Sequence, residues 1–464
     1  MGTEVMRADV VVVGAGPAGA HAASTLHQLG LTVILVDRRP QGAAGAQWLN
    51  GVAGWLFEAA GLSRPVAPEL HGGNEPYRMI APRGATLTVP VTPGLEVDMR
   101  LLGERCVAPL LRDAPERVLW QTEVQDVEVD STGRPTALLA RRLGGDASRP
   151  VRLEASLFVD ASGLGAVVRR RVPKLDRHCP RVAPRDLCTA SAELREIVDR
   201  KGAQRFLDRM EAVPTENLAW VSAHGGYSLL RVTISQDLAH ASLLTGSIAT
   251  PEFPSGQKIM DEFVGKEPWL GAVEFGGARA IPIRRPYTHL VSDGIALLGD
   301  AACQVFSAHG SGIGVSLIAA RLLAETVADA RSQGKDIGGR PQLWPYAARF
   351  HRDWGGVLGG SDAFRRLSQT LAPEVSNRLI GKMMTQNMVL ATLAQKPVSI
   401  TAGELPQLLR AAVGDPATLM VLLPVLLRMP LINQVASLYP LTDPGHDRSL
   451  ALYEQVMSRL VEWI

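Results

Sequence analysis

The sequence predicts an α/β protein: a nucleotide-binding domain wound around a mainly parallel sheet, with an inserted β-rich lobe and a helical C-terminal region. Three observations predict it. Residues 10–13 are four consecutive valines that run into a glycine turn and an alanine-rich helix. Two later apolar runs, 157–159 and 295–298, have the same buried-strand character, and each ends on a turn containing Asp and Gly. From about residue 340 onward the pattern is almost entirely helical. Apolar runs without alternation are expected of strands covered on both faces, as in parallel sheets.

Taken in order, residues 8–40 read as one βαβ unit: a strand over 9–13, a turn over 14–19, a helix over 20–29 closed by Gly30, and a strand over 32–36. Residues 70–100 break into short pieces punctuated by Gly and Pro, as antiparallel sheet does. A helix is predicted over 100–111, a strand pair over 118–129 and a polar hairpin at 131–134. Residues 176–280 alternate, most clearly over 227–234, and form the inserted β-rich lobe. After the strand at 295–298, glycines at 310, 312 and 314 open a helix. Asp415 before Pro416 is an N-cap signal in the tail. The implied boundaries are 1–70, 95–175 and 280–335 for the nucleotide-binding domain, 71–94 and 176–279 for the β-rich lobe, and 336–464 for the helical domain.

Composition narrows the function classes. The chain has 464 residues, too many for one simple core, and its 46% apolar and 20% charged residues are those of a globular protein. A net charge of +2 with dispersed bases excludes a nucleic-acid face, which needs clustered Lys and Arg. Cys106, Cys179, Cys188 and Cys303 show no paired spacing, so neither a metal site nor a disulfide framework is expected, and the compartment expected is the cytoplasm. The most apolar stretch, 419–427, contains Pro424 and falls short of the ~20 residues a membrane span needs. No transmembrane segment is therefore expected, and a soluble monomer or homodimer is. The apolar residues of that stretch occupy more than one helix face. Helix–helix packing accounts for them, with a lipophilic channel wall or a dimer face as alternatives.

The turn Gly14-Ala15-Gly16-Pro17-Ala18-Gly19 carries the first chemistry. It follows a strand and opens a helix, the context required of a Rossmann-type dinucleotide fingerprint. Gly14 permits the tight turn, Gly16 lets the backbone approach a pyrophosphate, and Gly19 lets the helix pack on the sheet. The helix N-terminus offers unpaired N–H groups and the positive dipole end to phosphates. Asp37 ends the second strand at the spacing expected of the carboxylate that takes ribose hydroxyls. Arg38 follows it, over the adenine, beside a phosphate, or in solvent. This motif alone does not separate NAD from FAD.

Later segments do. Asp160-Ala161-Ser162-Gly163, with Arg169 and Arg170 downstream, resembles the second conserved segment of the p-hydroxybenzoate hydroxylase and geranylgeranyl reductase superfamily. Residues 280–286 (AIPIRRP) followed by 293–302 (DGIALLGDAA) are similar to its third. The resemblance implies a glutathione reductase-like FAD-binding domain with non-covalent FAD. It implies that Asp300, after Gly299, bonds the ribityl chain, and that Gly310, Gly312 and Ile313 set backbone N–H groups beside the pyrimidine edge of the flavin. A helix N-terminus there would stabilise the charge gained on reduction. By the same resemblance Arg100 reaches the FAD phosphates and Val124 meets the adenine through its main chain. No second dinucleotide-binding unit occurs, so NAD(P)H is expected as a transient electron donor.

Three enzyme branches share this superfamily. The first expectation is a single-component NAD(P)H-dependent monooxygenase acting on a small hydrophobic or aromatic molecule. The second is a geranylgeranyl reductase-like enzyme that reduces C=C bonds, which residues 281–286 and 346–354 resemble. The third, a halogenase, lacks its lysine: residues 41–70 contain none. A fourth reading, from another class, is an FAD-binding protein without redox turnover.

Individual side chains carry two readings each. His309, just before the glycine-rich helix start, is either a proton donor or substrate partner, or a histidine that packs a loop. Trp220 and Tyr227 either stack on substrate or belong to the sheet's own core. Gln47 and Trp48 follow the first βαβ unit, where the family's chain passes the flavin edge. Cys303 reads as a small buried hydrophobe.

Overall fold

The computed structural model describes residues 3–143, 149–445 and 447–463. The first strand, Glu4–Val13, lies at the centre of an eight-stranded sheet, paired in parallel with Arg149–Asp160 on one side and Val33–Val36 on the other. Val10, Val11 and Val12 are fully buried because both faces of this sheet are covered. Val118–Leu119 extends the parallel set beyond Val33–Val36, and Ile295–Leu297 extends it beyond Arg149–Asp160. The strands Thr122–Val129 and Pro135–Arg142 form an antiparallel hairpin that leans on the outer half of Arg149–Asp160. Asp130 closes that hairpin by accepting from the Thr132 and Arg134 amides.

The helix expected from residue 20 begins earlier, at Pro17. Proline suits the first helical turn, because its missing N–H would be unpaired there anyway. This helix, Pro17–Gln28, packs between Met99–Asp113 and Ile313–Ser332 on the sheet.

A second, seven-stranded sheet has the order 270–282, 187–197, 240–248, 228–234, 217–221, 77–80, 86–89. It is antiparallel throughout except where Tyr77–Ile80 joins Asn217–Val221 in parallel. Its outer face is closed by the helix Arg200–Arg209, through a core of Phe206, Leu207, Trp269 and Met260. A third, antiparallel sheet joins Gly94–Asp98 to Leu70–Gly73, in the span expected to be antiparallel, and to Leu49–Ala53, a strand not anticipated.

The tail is helical. Arg340–Thr370 runs for 31 residues and passes through Pro345. One apolar stretch extends further than expected. The apolar stretch at 419–427 is part of a longer helix, Pro416–Ser437, of 22 residues and mean hydropathy 1.7, long and apolar enough by those measures to cross a membrane. Pro424 and Pro430 do not stop it. Each proline removes one ladder donor, the one that would have reached the Met420 or the Leu426 carbonyl, and the rest of the ladder carries the helix through. The cap at Asp415 forms as expected: its carboxylate accepts from the Thr418 amide at 3.1 Å.

Candidate functional site

One long cleft runs across the carboxyl ends of the parallel strands, the place where open α/β sheets bind ligands. Its floor is the first glycine turn. Gly14 has φ +105°, and a Cβ there would stand 2.3 Å from the Ala161 carbonyl oxygen. A Cβ on Gly19 would meet the Gly14 carbonyl oxygen at 1.9 Å. Gly16, Pro17 and Ala18 line the cleft, and the helix opens at Gly16 with no side-chain cap, leaving its first N–H groups for a ligand. Asp37 sits beside them. One of its oxygens accepts from the Ala15 amide at 2.7 Å and the other from the Arg39 amide at 2.8 Å, which fixes the carboxylate at the turn.

The loop opposite is built on Asp160, which is fully buried. Its carboxylate accepts from the Ser162 amide and hydroxyl and from the Val168 and Arg169 amides, at 2.6–3.1 Å. The DASG segment is thus a device for pressing Ala161 and Ser162 against Gly14. Arg38, Trp48 and Val124 also line the cleft.

At the other end stand Gly299, Asp300, Gly310, Gly312 and Ile313. Gly299 and Gly310 both have positive φ. Asp300 faces the cleft, and burial pushes its carboxyl up to about 6, with Arg279 pulling the other way. The helix Ile313–Ser332 has no side-chain cap either, so its leading amides also face the cleft. The three glycines at this turn differ in purpose. A Cβ on Gly312 would press on Gln304 and Val305, and one on Gly314 would lie 2.3 Å from Leu56. Gly314 therefore serves packing against the helix Trp55–Ala59 and not approach to a ring.

Five expected residues are not among those that line the cleft. Arg100 lies in a neighbouring depression with Ala15, Gln41 and Trp120. Its Nη2 donates to Asp98 at 2.6 Å and its guanidinium stacks 3.5 Å over Phe275, so those partners, and not the main cleft, hold it. Gln47 spends its amide on the Ala44 and Ala46 carbonyls. Trp220 packs on the core around Leu218 and Phe206, on the far side of its sheet. His309 sits at the cleft end, stacked on Phe306, with Nε2 3.2 Å from the Thr392 carbonyl. Burial pushes its imidazole down to about 4, so it is neutral near pH 7 and its N–H is already committed; the proton-donor reading is set aside. Tyr227 remains near the site. Its hydroxyl lies 3.4 Å from the position of a Gly310 Cβ, and among the described residues it has no hydrogen-bond partner.

Sequence reasoning missed Arg279, Asn50 and Ser316, which also line the cleft. Arg279 comes from the long strand Leu270–Pro282 of the second sheet and donates to the Gly45 carbonyl. Nothing in the sequence sets it apart from the other arginines. All four cysteines are buried and free, and Cys303 is fully enclosed. Among the described residues, His178, His289 and Asp447 form one cluster with metal-ligand spacing. Arg177 already donates to His178 Nε2 at 3.0 Å and Arg340 to Asp447 at 3.2 Å, so cations of the chain's own fill that place.

The cleft fits an extended dinucleotide: two uncapped helix N-termini, a carboxylate at each end, and glycines whose Cβ positions are blocked by backbone. The model of the FAD dependent oxidoreductase family matches residues 9–258, more than half of the chain. A digeranylgeranylglycerophospholipid reductase of Methanothrix thermoacetophila is 27% identical over 395 residues, 82% of this chain and 93% of that protein. Among solved structures, a geranylgeranyl bacteriochlorophyll reductase-like protein of Thermoplasma acidophilum superposes with TM-score 0.69 at 15% identity, over 91% of this chain and 100% of that one. PqsL of Pseudomonas aeruginosa, described as a probable FAD-dependent monooxygenase, gives TM-score 0.56 at 18% identity, over 79% of this chain and 97% of that one. These two likenesses show the fold. With the cleft and the family match together, the chain belongs to the FAD dependent oxidoreductase family.

Proposed function

We propose that this flavoprotein reduces carbon–carbon double bonds of an isoprenoid-type lipid, the reading placed second on sequence alone. What carries it is the near full-length match, in both directions, to a relative named as a digeranylgeranylglycerophospholipid reductase. The site agrees with that chemistry. When bound, FAD supplies the hydride. The chain's part is to hold the cofactor through Gly14–Gly19, Asp37 and Asp300, to shut out water, and to deliver one proton. Phe306 and the wall bonded to His309 at Thr392 make the surroundings of the helix start largely apolar. Tyr227 is the hydroxyl beside Gly310, and burial holds its proton on well above the usual tyrosine range. It therefore keeps its proton near pH 7, and its place beside Gly310 makes it the proposed source of the proton, with hydride and proton adding to the two carbons. NAD(P)H or another soluble reductant is proposed to reload the flavin from outside.

The test is mass spectrometry of an isoprenoid lipid after incubation with reduced enzyme, with and without oxygen. The expected product gains two hydrogens per double bond and forms without oxygen. A product gaining one oxygen atom, formed only in air, would return the monooxygenase to first place.

A further inference from the structure

We propose that the face built by the helices Leu405–Gly414 and Pro416–Ser437 rests on an anionic lipid surface, holding the protein at a membrane without crossing it. The first helix buries none of its residues, yet Leu405, Leu409 and Val413 recur at every fourth position along one side, and Val413 is 83% exposed. On the second helix, Met420, Leu427, Leu431 and Leu438, the last being its C-terminal cap, fall on one line, and Leu427 is 62% exposed. A helix on the surface of a soluble protein turns polar residues to water. These turn leucines, valine and methionine, in a patch of the kind that marks an interaction surface.

The charges say which surface. Between residues 396 and 442 the acids are Glu404 and Asp415, and the bases are Lys396, Arg410 and Arg428. Both acids are used internally. Glu404 accepts from the Thr401 amide and hydroxyl, and Asp415 caps its helix and pairs with Arg378 at 2.8 Å. Among the described residues Arg410 has no ion-pair partner, while Lys396 stands 5.1 Å over the Trp55 ring and Arg428 4.3 Å over the Trp463 ring. An apolar face whose border is net basic, with Asp415 neutralised by Arg378, is complementary to lipid tails beneath anionic headgroups.

The opposite side of the longer helix rules out a span. Thr418, Leu422, Val425, Ile432 and Ala436 are its buried residues, and the helix packs along Arg340–Thr370. The contact is close: a Cβ on Gly359 would lie 2.8 Å from Ile432, and one on Gly356 would meet Asn433. Crossing a bilayer would strip this fitted face from its partner, whereas lying on one buries the exposed leucines and leaves the fold intact. The chain also leads from the cleft to this face. Thr392 holds His309, Ala394 accepts from the Trp55 indole at 2.9 Å, and the apolar helices follow. As a route for substrate this rests on the lipid-reductase reading; as a docking face it does not.

The experiment is sedimentation of the FAD-loaded protein with phosphatidylcholine vesicles, with and without phosphatidylglycerol. Binding is expected to the anionic vesicles and to fall about tenfold or more for each of Leu409→Glu, Val413→Glu and Leu427→Glu, since a buried leucine side chain is worth more than a decade in partition. These positions are exposed, and unchanged flavin absorbance and melting confirm that the variants fold. Arg410→Glu is expected to weaken binding to anionic vesicles only. Failure to sediment with either vesicle overturns the proposal. So does equal binding to neutral vesicles, or a lipid-free dimer that the same variants dissolve, which would assign the face to a second copy. Turnover of a detergent-dispersed isoprenoid separates this result from the fate of the reductase reading.

Discussion

Asp300 offers a sharp test, because its carboxylate is held where burial disfavours charge. Asp300→Asn keeps the shape and removes the ionisation. In the FAD-free protein the wild-type carboxyl is pushed up to about 6, against an ordinary value of 3.8. Below about pH 4 it is neutral in folded and unfolded chains alike and costs nothing. As pH rises from 4 to 6 the unfolded chain ionises first, so stability is lost across that window and stays lost above it. The gap amounts to about 3 kcal/mol. For a chain of this length that is about 3 °C in melting temperature. Burial also holds His21, His289, His309 and His351 low, which costs stability as pH falls below the usual histidine range. That cost is common to both proteins and cancels in their difference. Melting curves of the two apoproteins from pH 4 to pH 8 are expected to coincide at the acid end, with the variant melting higher at neutral pH. FAD should reverse the order, since ribityl hydroxyls donate to a carboxylate better than to an amide oxygen. Wild-type FAD affinity is then expected to rise with pH through about 6, and variant affinity to stay flat. Parallel melting of the two apoproteins over the whole range would refute the reasoning.

Three substitutions extend the test. Gly14→Ala places a Cβ 2.3 Å from a backbone oxygen at φ +105° and is expected to purify without flavin, read as the ratio of flavin to protein absorbance. Tyr227→Phe is expected to leave FAD affinity unchanged and slow product formation by about a hundredfold, the scale of lost acid catalysis; an unchanged rate would remove Tyr227 from the reaction. His309→Ala is expected to retain FAD and lower turnover by loosening the wall at Thr392, with the shape of the pH–rate profile unchanged between pH 5 and 8. A profile limb that vanished in the variant would restore the histidine as a titrating group.

What was readable in the sequence followed from local rules. The valine run, the glycine turn and Asp37 obey constraints that act over 30 residues, and 13 of the 14 cofactor positions named from motifs line the cleft. Arg100 was the exception, because its fate depends on Asp98 and on Phe275, a residue far along the chain in another sheet. Trp220 and Tyr227 lie close together in sequence, yet one faces the core under Arg200–Arg209 and the other faces Gly310. Which way a half-buried strand turns its aromatics is set by what packs on each face. The extent of Pro416–Ser437 was hidden by its prolines, whose cost is met by contacts with Arg340–Thr370 that no local pattern encodes.

Arg279 makes the cofactor's lodging a matter of two sheets. Its backbone belongs to the seven-stranded sheet, while its guanidinium fastens the loop at Gly45, which lies against Gly16 and Pro17 of the dinucleotide turn. Loading a ligand as long as FAD is expected to require the guanidinium to release Gly45, and unloading to require it again. Reconstitution of apoprotein is expected to be slow and nearly independent of FAD concentration, and Arg279→Ala to accelerate both uptake and loss in stopped-flow fluorescence. The enzyme would then keep its flavin through kinetics as much as through affinity.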